Sequence, residues 1–122
     1  MAYVDGFLLP VPKRNLAAYA RLSKKAGKIW RELGALDYKE CAGDDLEIKK
    51  SWGVPFPRLL RLKRGEVPVF AFIVYKSRAH RDRVNAKVMA DPRMRVMMHD
   101  KKMPFDIKKM AYGGFKVIVD VT

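Results

Sequence analysis

The chain has 122 residues, 49% of them hydrophobic, which is enough for one domain over residues 1–122 with a single core but not for two. Its opening residues lack the basic start and longer apolar stretch of a secretory signal, and no stretch is long enough to span a membrane, so a cytoplasmic location is predicted. One cysteine and two histidines exclude an intrachain disulfide and a zinc cluster, and neither a cofactor nor a metal is expected.

The formal net charge of +13 is concentrated in two stretches of the chain. Residues 13–33 carry seven Lys or Arg against one Glu, and residues 76–109 carry eleven against four Asp. Both stretches are mostly helical in the prediction that follows, so this charge is interpreted as solvated helix surface. Such a surface holds nucleic acid or another polyanion only weakly and without sequence preference.

The first half of the chain predicts a strand, a long helix and a second strand. Residues 3–9 are aromatic and branched and stop at two prolines, which is typical of a strand. Apolar residues at helical spacing predict one amphipathic helix over 13–33, which Gly34 ends. Residues 35–42 alternate moderately and indicate an exposed strand. From there to Glu66, prolines favour a loop with one helical turn.

The third strand is the most clearly predicted element. Residues 67–75 are apolar at every position, which in a sheet indicates a central strand with both faces covered. Ser77 follows as a suitable N-cap for a helix over 78–90. The chain therefore enters a second helix directly after its central strand.

The remaining elements complete the predicted fold. Asp91 and Pro92 begin a short helix through Met98, and a last strand is expected over 109–121 with a bulge at residues 113–114. The order predicts an α+β domain of ferredoxin-like type, β-α-β-β-α-β. It would have a four-stranded antiparallel sheet with both helices on one face.

The two faces of that sheet are assigned from the alternation of side chains along each strand. Small residues, namely Gly6, Ala71 and Ile73, are expected under the helices. The open face would then carry a mainly aromatic set: Tyr3, Asp5, Phe7, Phe70, Phe72 and Val74. Soluble monomers rarely expose such a surface, so a second copy of the chain is expected to cover it.

Six short motifs extend from Tyr3 to Phe115, namely YVDGF (3–7), ECAGDD (40–45), HRD (80–82), DPRM (91–94), MPFD (103–106) and KMAYGGF (109–115). In this order and combination they resemble the YbaA-like family, bacterial proteins of unknown function. The resemblance implies a dimeric α/β barrel, in which two ferredoxin-like sheets close face to face. Relatives in that broad superfamily include small monooxygenases of antibiotic synthesis, which bind aromatic substrates inside the barrel. The family has no established catalytic residues to transfer.

The functional interpretation is a homodimer that binds a small aromatic or apolar organic molecule in a cavity on the open sheet face. Cofactor-independent catalysis and a purely structural role both stay open. The candidate ligand-binding residues are Tyr3, Phe7, Glu40, Phe70, Phe72 and Tyr112. Five methionines are interpreted as core packing, with a pliable pocket wall as the alternative: Met89, Met94, Met97, Met98 and Met103.

Asp5 is the candidate catalytic residue. A carboxylate among aromatic side chains loses hydration, which raises its pKa and suits a general acid. In that case Asp5→Asn would preserve folding. The alternative is a structural aspartate bonded to a nearby arginine, tyrosine or backbone amide, since structural networks also perturb carboxylates.

An RNA-binding module is the main alternative function, because that class shares this strand order and stacks bases on open-face aromatics. Residues 70–75 resemble its third-strand motif, and the chain is basic. Against it, Pro68 and Val69 replace the expected basic residue and glycine, and the first helix is about twice the usual length. The basic residues also lie on helices, away from the stacking face.

Overall fold

A computed structural model describes residues 1–49, 52–99 and 102–122. In chain order the described elements are β1 (Tyr3–Pro12), α1 (Leu16–Glu32), β2 (Asp37–Ala42), α2 (Phe56–Leu59), β3 (Glu66–Tyr75), α3 (Arg78–Ala90), α4 (Pro92–Met98) and β4 (Ala111–Lys116). Short 3-10 turns precede α1 and β4. This is the predicted succession of elements, and α2 lies close to the single helical turn expected around residues 58–62.

The four strands form one antiparallel sheet in the order β2-β3-β1-β4. The long strands β1 and β3 lie in the centre, and the six-residue strands β2 and β4 form the edges. This confirms the predicted α+β, ferredoxin-like arrangement. No helix in the described part of the chain combines the length and apolar character needed to cross a bilayer.

The helix boundaries follow from local capping, as the sequence predicts. The Ser77 side chain accepts a hydrogen bond from the His80 N–H at 3.1 Å, and α3 begins there. Asp91 accepts from the Arg93 N–H at 2.9 Å at the start of α4. Gly34 has a φ of 124°, a left-handed value that favours glycine, so α1 stops before it.

The last strand differs from its prediction in two respects. It ends at Lys116, and its glycines do not form a bulge, because Gly113 pairs with Gly6 and Gly114 with Asp5 in unbroken register. A side chain at position 114 would meet the ring of Tyr3, with a Cβ 2.4 Å from its hydroxyl oxygen. The glycine is therefore explained by this close approach across the sheet.

The register between β1 and β3 decides which residues share a face. Asp5 lies opposite Ile73, and Phe7 lies opposite Ala71. Directly opposed residues project to the same side of a sheet. Odd-numbered residues of both strands therefore face the helices, and even-numbered residues form the open face.

The predicted face assignment is therefore wrong for the first strand. Gly6 lies on the open face with Phe72, while Tyr3, Asp5 and Phe7 lie under the helices. Both faces of β1 carry large apolar side chains, so alternation alone did not show which face points inward. The open face still carries an apolar surface, now composed of Val4, Leu8, Phe70, Phe72, Val74 and Phe115.

The core lies between the covered face and the helices, in two clusters. One joins α1, α3 and α4 to the end of β3 through Ile29, Ala35, Ile73, Tyr75, Val84, Val88 and Met94. The other lies at the opposite end of the sheet and consists of Leu9, Val11, Tyr19 and Val69. The space between sheet and helices is not completely filled by these clusters, which leaves room for a site.

Candidate functional site

A cavity of about 400 Å³ lies between the covered face of the sheet and helices α1, α3 and α4. The residues between α4 and β4 close one side of it. Its walls are mainly apolar and include Phe7, Leu22, Ala26, Trp30, Ala71, Ile73, Phe105 and Ile107. Two groups of polar side chains interrupt this lining, one centred on Glu40 and the other on Asp5.

Six of the seven methionines line the cavity: Met89, Met94, Met97, Met98, Met103 and Met110. They come from α3, α4 and the segment that leads to β4. For all of these except Met110, core packing was the preferred interpretation from the sequence. Met94 is buried in the core and Met97 packs against it, whereas Met89, Met98 and Met103 line the cavity as the alternative of a pliable wall predicts. Unbranched thioether side chains adapt readily to irregular shapes.

Glu40 receives hydrogen bonds from two tyrosines at the cavity wall. The Tyr19 hydroxyl of α1 donates to Oε1 at 2.7 Å, and the Tyr38 hydroxyl of β2 donates to Oε2 at 2.6 Å. Tyr38 and Glu40 meet because residues two apart on a strand share a face. Burial, together with the charge and hydrogen bond of Glu40, raises the pKa of both tyrosines well above their ordinary value.

Gly27 of α1 makes room for the Tyr38 ring. A Cβ at this position would lie 2.6 Å from the nearest ring carbon of Tyr38, closer than real Cβ atoms approach. The helix therefore packs on the ring directly through its backbone. This close contact holds Tyr38 in the position from which its hydroxyl reaches Glu40.

The second polar group is an ion pair between Asp5, which is buried, and Arg81, whose side chain is 18% exposed. The Nη1 atom of Arg81 lies 2.6 Å from Oδ1 of Asp5, and only 6% of Asp5 is exposed. The guanidinium also bonds Asp82 at 2.8 Å and lies over the Tyr3 ring, 4.9 Å from its centroid. The Asp5 carboxylate therefore has a cationic partner within the fold.

The geometry supports the structural alternative for Asp5. The catalytic interpretation required Asp5 to lie on the open face with no cation beside it. The structure puts Asp5 on the covered face, next to Arg81. Sequence reasoning missed the partner because the two residues are 76 positions apart. Asp5 lines the cavity, but its charge is already balanced by Arg81.

Asn85 is a cavity residue that the sequence did not single out. Its Oδ1 accepts hydrogen bonds from the Trp30 indole at 3.2 Å and from the Tyr75 hydroxyl at 3.1 Å. It lies four residues after Arg81, so both side chains leave α3 on the same side. That spacing is the only sequence signal that could have pointed to it.

The comparisons with known proteins agree with this fold. The family described as "Protein of unknown function (DUF1428)" matches residues 2–107. Uncharacterized protein YbaA of Escherichia coli K12 is 40% identical over 120 residues, which cover 98% of this chain and 99% of that protein, and its Shigella flexneri counterpart matches equally.

The chain belongs to the DUF1428 family. The resemblance drawn from the six motifs is thereby confirmed. Two solved structures share the fold of this DUF1428 chain. SnoaB, described as a cofactor-independent oxygenase from Streptomyces nogalater, aligns with a TM-score of 0.63 at 9% identity over 98% of this chain and 96% of its own. A dimeric ferredoxin-like protein from an uncultured marine organism aligns with a TM-score of 0.56 at 11% identity over 99% and 100%.

The structure divides the predicted ligand-binding residues of the DUF1428 chain between the two faces. Phe7, Glu40 and Tyr112 line the cavity, and the Phe7 and Tyr112 rings stack with centroids 6.2 Å apart. Phe70 and Phe72 lie on the open face and do not contribute to this cavity. The prediction that all of these residues, with Tyr3, surround one site is therefore wrong.

A groove outside the cavity runs between α1 and β2. It has a volume of about 570 Å³ and is lined by basic residues of α1, namely Lys24, Lys28 and Arg31. Ser23, Tyr38 and Glu40 line both this groove and the cavity. These three side chains therefore form a shared polar wall between the cavity and the groove.

Within residues 1–49, 52–99 and 102–122 of the DUF1428 chain, no three His, Cys, Asp or Glu side chains are grouped so that they could hold a metal ion. The polar side chains of the cavity can donate and accept hydrogen bonds. Glu40 is suited to accept a further hydrogen bond, because the two tyrosines fix its position and use only part of its acceptor capacity. Arg81 and Asn85 are suited to orient a polar substituent.

Proposed function

We propose that this protein binds a small, mainly apolar organic molecule in the cavity between the sheet and the helices. The observation that carries the proposal is an apolar cavity of about 400 Å³ with a few convergent polar groups. Small-molecule sites in proteins have this character and this range of volume. The ligand site thus lies on the helix side of the sheet, whereas the sequence interpretation put it on the open side.

The polar groups favour a ligand that carries a hydrogen-bond donor. A carboxylate can accept about four hydrogen bonds, and the two tyrosines supply one to each oxygen of Glu40. A ligand hydroxyl or N–H facing Glu40 would occupy a remaining acceptor position. We therefore expect an aromatic or alicyclic alcohol, phenol or enol to fit better than a pure hydrocarbon.

Cofactor-independent chemistry on such a ligand is part of the proposal. SnoaB shares the fold and is described as a cofactor-independent oxygenase. Glu40 would accept a hydrogen bond from a bound phenol or enol and so hold its reactive oxygen in a fixed position. In this proposal Asp5 holds Arg81 in place and is no longer the candidate catalytic residue.

Naphthol and its methyl ether provide a matched pair of probes for this site. Naphthol is expected to bind about tenfold or more tightly than methoxynaphthalene, because only naphthol donates to Glu40 and a hydrogen bond to a charged group contributes about 1.5–3 kcal/mol. Isothermal titration calorimetry measures both affinities. Equal affinities would contradict the role of Glu40 as the acceptor.

Two leucine substitutions on α1 test whether the probe enters the cavity. Ala26→Leu introduces a larger side chain into the lining and should weaken naphthol binding about tenfold. Ala17→Leu makes the same change on an exposed position of the same helix and should leave binding unchanged. If both variants bind like the unmodified protein, the ligand does not occupy this cavity.

The open face supports a second part of the proposal, a homodimer. Phe115 is 61% exposed and Phe70 is 47% exposed, and both belong to one contiguous apolar face. Soluble monomers rarely expose such a patch. One solved structure with this fold is described as a dimeric ferredoxin-like protein.

Light scattering after size exclusion is expected to give twice the chain mass of 14.0 kDa. Phe70→Asp should shift the protein to a monomer, because it puts a charge on the open face, which the dimer would bury. Val96→Asp is the matched control, since Val96 is 73% exposed on α4, on the other side of the sheet. A monomeric mass for the unmodified chain would contradict the dimer and favour the RNA-binding alternative.

A further inference from the structure

The segment 117–122 continues β4 beyond the end of its own sheet. The Val117 N–H donates to the Ala2 carbonyl at 3.0 Å, and β1 begins at Tyr3, so the sheet offers no further partner strand. Beyond that bond, three apolar side chains are almost fully exposed: Ile118 at 80%, Val119 at 73% and Val121 at 91%. The segment is rich in β-branched residues, which favour strands.

The alternation along β4 shows which way this segment faces. Phe115 projects to the open face, because it lies opposite Val4. A strand that continued without interruption would put Val117, Val119 and Val121 on that same face. In that extended conformation the apolar row of the segment would be continuous with the open face, which the proposed dimer covers.

We infer that the segment 117–122 forms a strand in the sheet of a second copy, beside its β2. This inference rests on the homodimer part of the proposed function. The sheet has two unpaired edges, β2 and β4, and such edges are normally covered or blocked. Pairing the continuation of β4 with the partner copy's β2 covers the β2 edge, and symmetry repeats the contact in the other copy.

A variant that ends at Lys116 tests whether the segment holds the dimer together. It removes Val119 and Val121, which would be buried on the partner, together with Val117, so the dimer dissociation constant should rise about a hundredfold or more. Analytical ultracentrifugation measures this constant. If the unmodified chain is itself monomeric, the dimer proposal fails. If the shortened chain dimerises with unchanged affinity, only the inference about the segment is overturned.

Cys41 allows a direct test of whether the segment 117–122 pairs with β2 of the second copy. It is exposed on β2 and faces the open side, opposite Phe70. Val119→Cys or Val121→Cys puts a thiol on the same face of the added strand, so mild oxidation should give a disulfide-linked dimer for at least one of them. Asp120→Cys projects to the other face and should not crosslink.

The crosslink is expected to disappear when Cys41→Ser is combined with either valine variant. Disulfide-linked dimers that persist without Cys41 would overturn the inference, because they would show that the two segments pair with each other. Equal crosslinking by Asp120→Cys would also overturn it. So would the absence of crosslinks in a protein whose mass is that of a dimer.

Discussion

Replacing Arg81 by methionine is expected to lower the free energy of unfolding by about 3 kcal/mol or more. The substitution leaves the Asp5 carboxylate buried without its cationic partner, and removing one member of a buried pair costs about 3–5 kcal/mol. Urea unfolding followed by circular dichroism measures the change. A loss below about 1 kcal/mol would show that the ion pair does not stabilise the fold.

A double variant separates the ion pair from the packing of the arginine. Asp5→Asn combined with Arg81→Met removes both charges and should recover a large part of the stability that Arg81→Met alone loses. Arg93→Met is the exposed control, because the Arg93 and Glu32 side chains are 52% and 57% exposed. Its effect should stay below about 1 kcal/mol.

Stability is expected to fall steeply above about pH 10. Burial raises the pKa of Tyr19, Tyr38 and Tyr75, and the carboxylates Glu40 and Asp5 add to this effect. In the unfolded chain these tyrosines ionise near 10, whereas in the folded chain they keep their protons. The stability that these three tyrosines contribute is complete below about pH 10. Above that pH the free energy of unfolding falls by about 4 kcal/mol per pH unit, because only the unfolded chain loses the three protons.

Urea unfolding at a series of alkaline pH values measures this slope. Tyr19→Phe and Tyr38→Phe should each reduce it by about 1.4 kcal/mol per pH unit, because each removes one protected proton. Phenolate absorbance gives an independent measurement in a Tyr3→Phe, Tyr112→Phe variant, which retains only these three of the five tyrosines, and it should rise only as unfolding begins. An unchanged slope in both variants would contradict the link to these tyrosines.

The elements of the fold could be predicted because their signals are local. Ser77, Asp91 and Gly34 act within one helical turn, so their capping roles are visible in a short window of sequence. The run of apolar residues over 67–75 likewise identifies a central strand. These features depend on neighbours along the chain, and the structure confirms them.

The register between distant strands could not be predicted in the same way. Asp5 and Ile73 are opposed because of packing across the whole sheet, and a shift of one residue exchanges the two faces. That single error put Tyr3, Asp5 and Phe7 on the open face and concealed the Asp5–Arg81 pair. Glu40 was a candidate, and its contact with Tyr38 follows from their spacing on β2, but its contact with Tyr19 depends on how α1 lies against β2.

The methionine wall has a consequence for ligand discrimination. Flexible thioether chains can rearrange around a bulkier or slimmer apolar body, so adding or removing a methylene changes binding little. Polar groups discriminate far more strongly, because a ligand without a donor leaves the remaining acceptor positions of Glu40 unfilled. For the proposed ligand, selectivity would therefore reside in the position of Glu40, and the apolar walls would admit a series of related compounds.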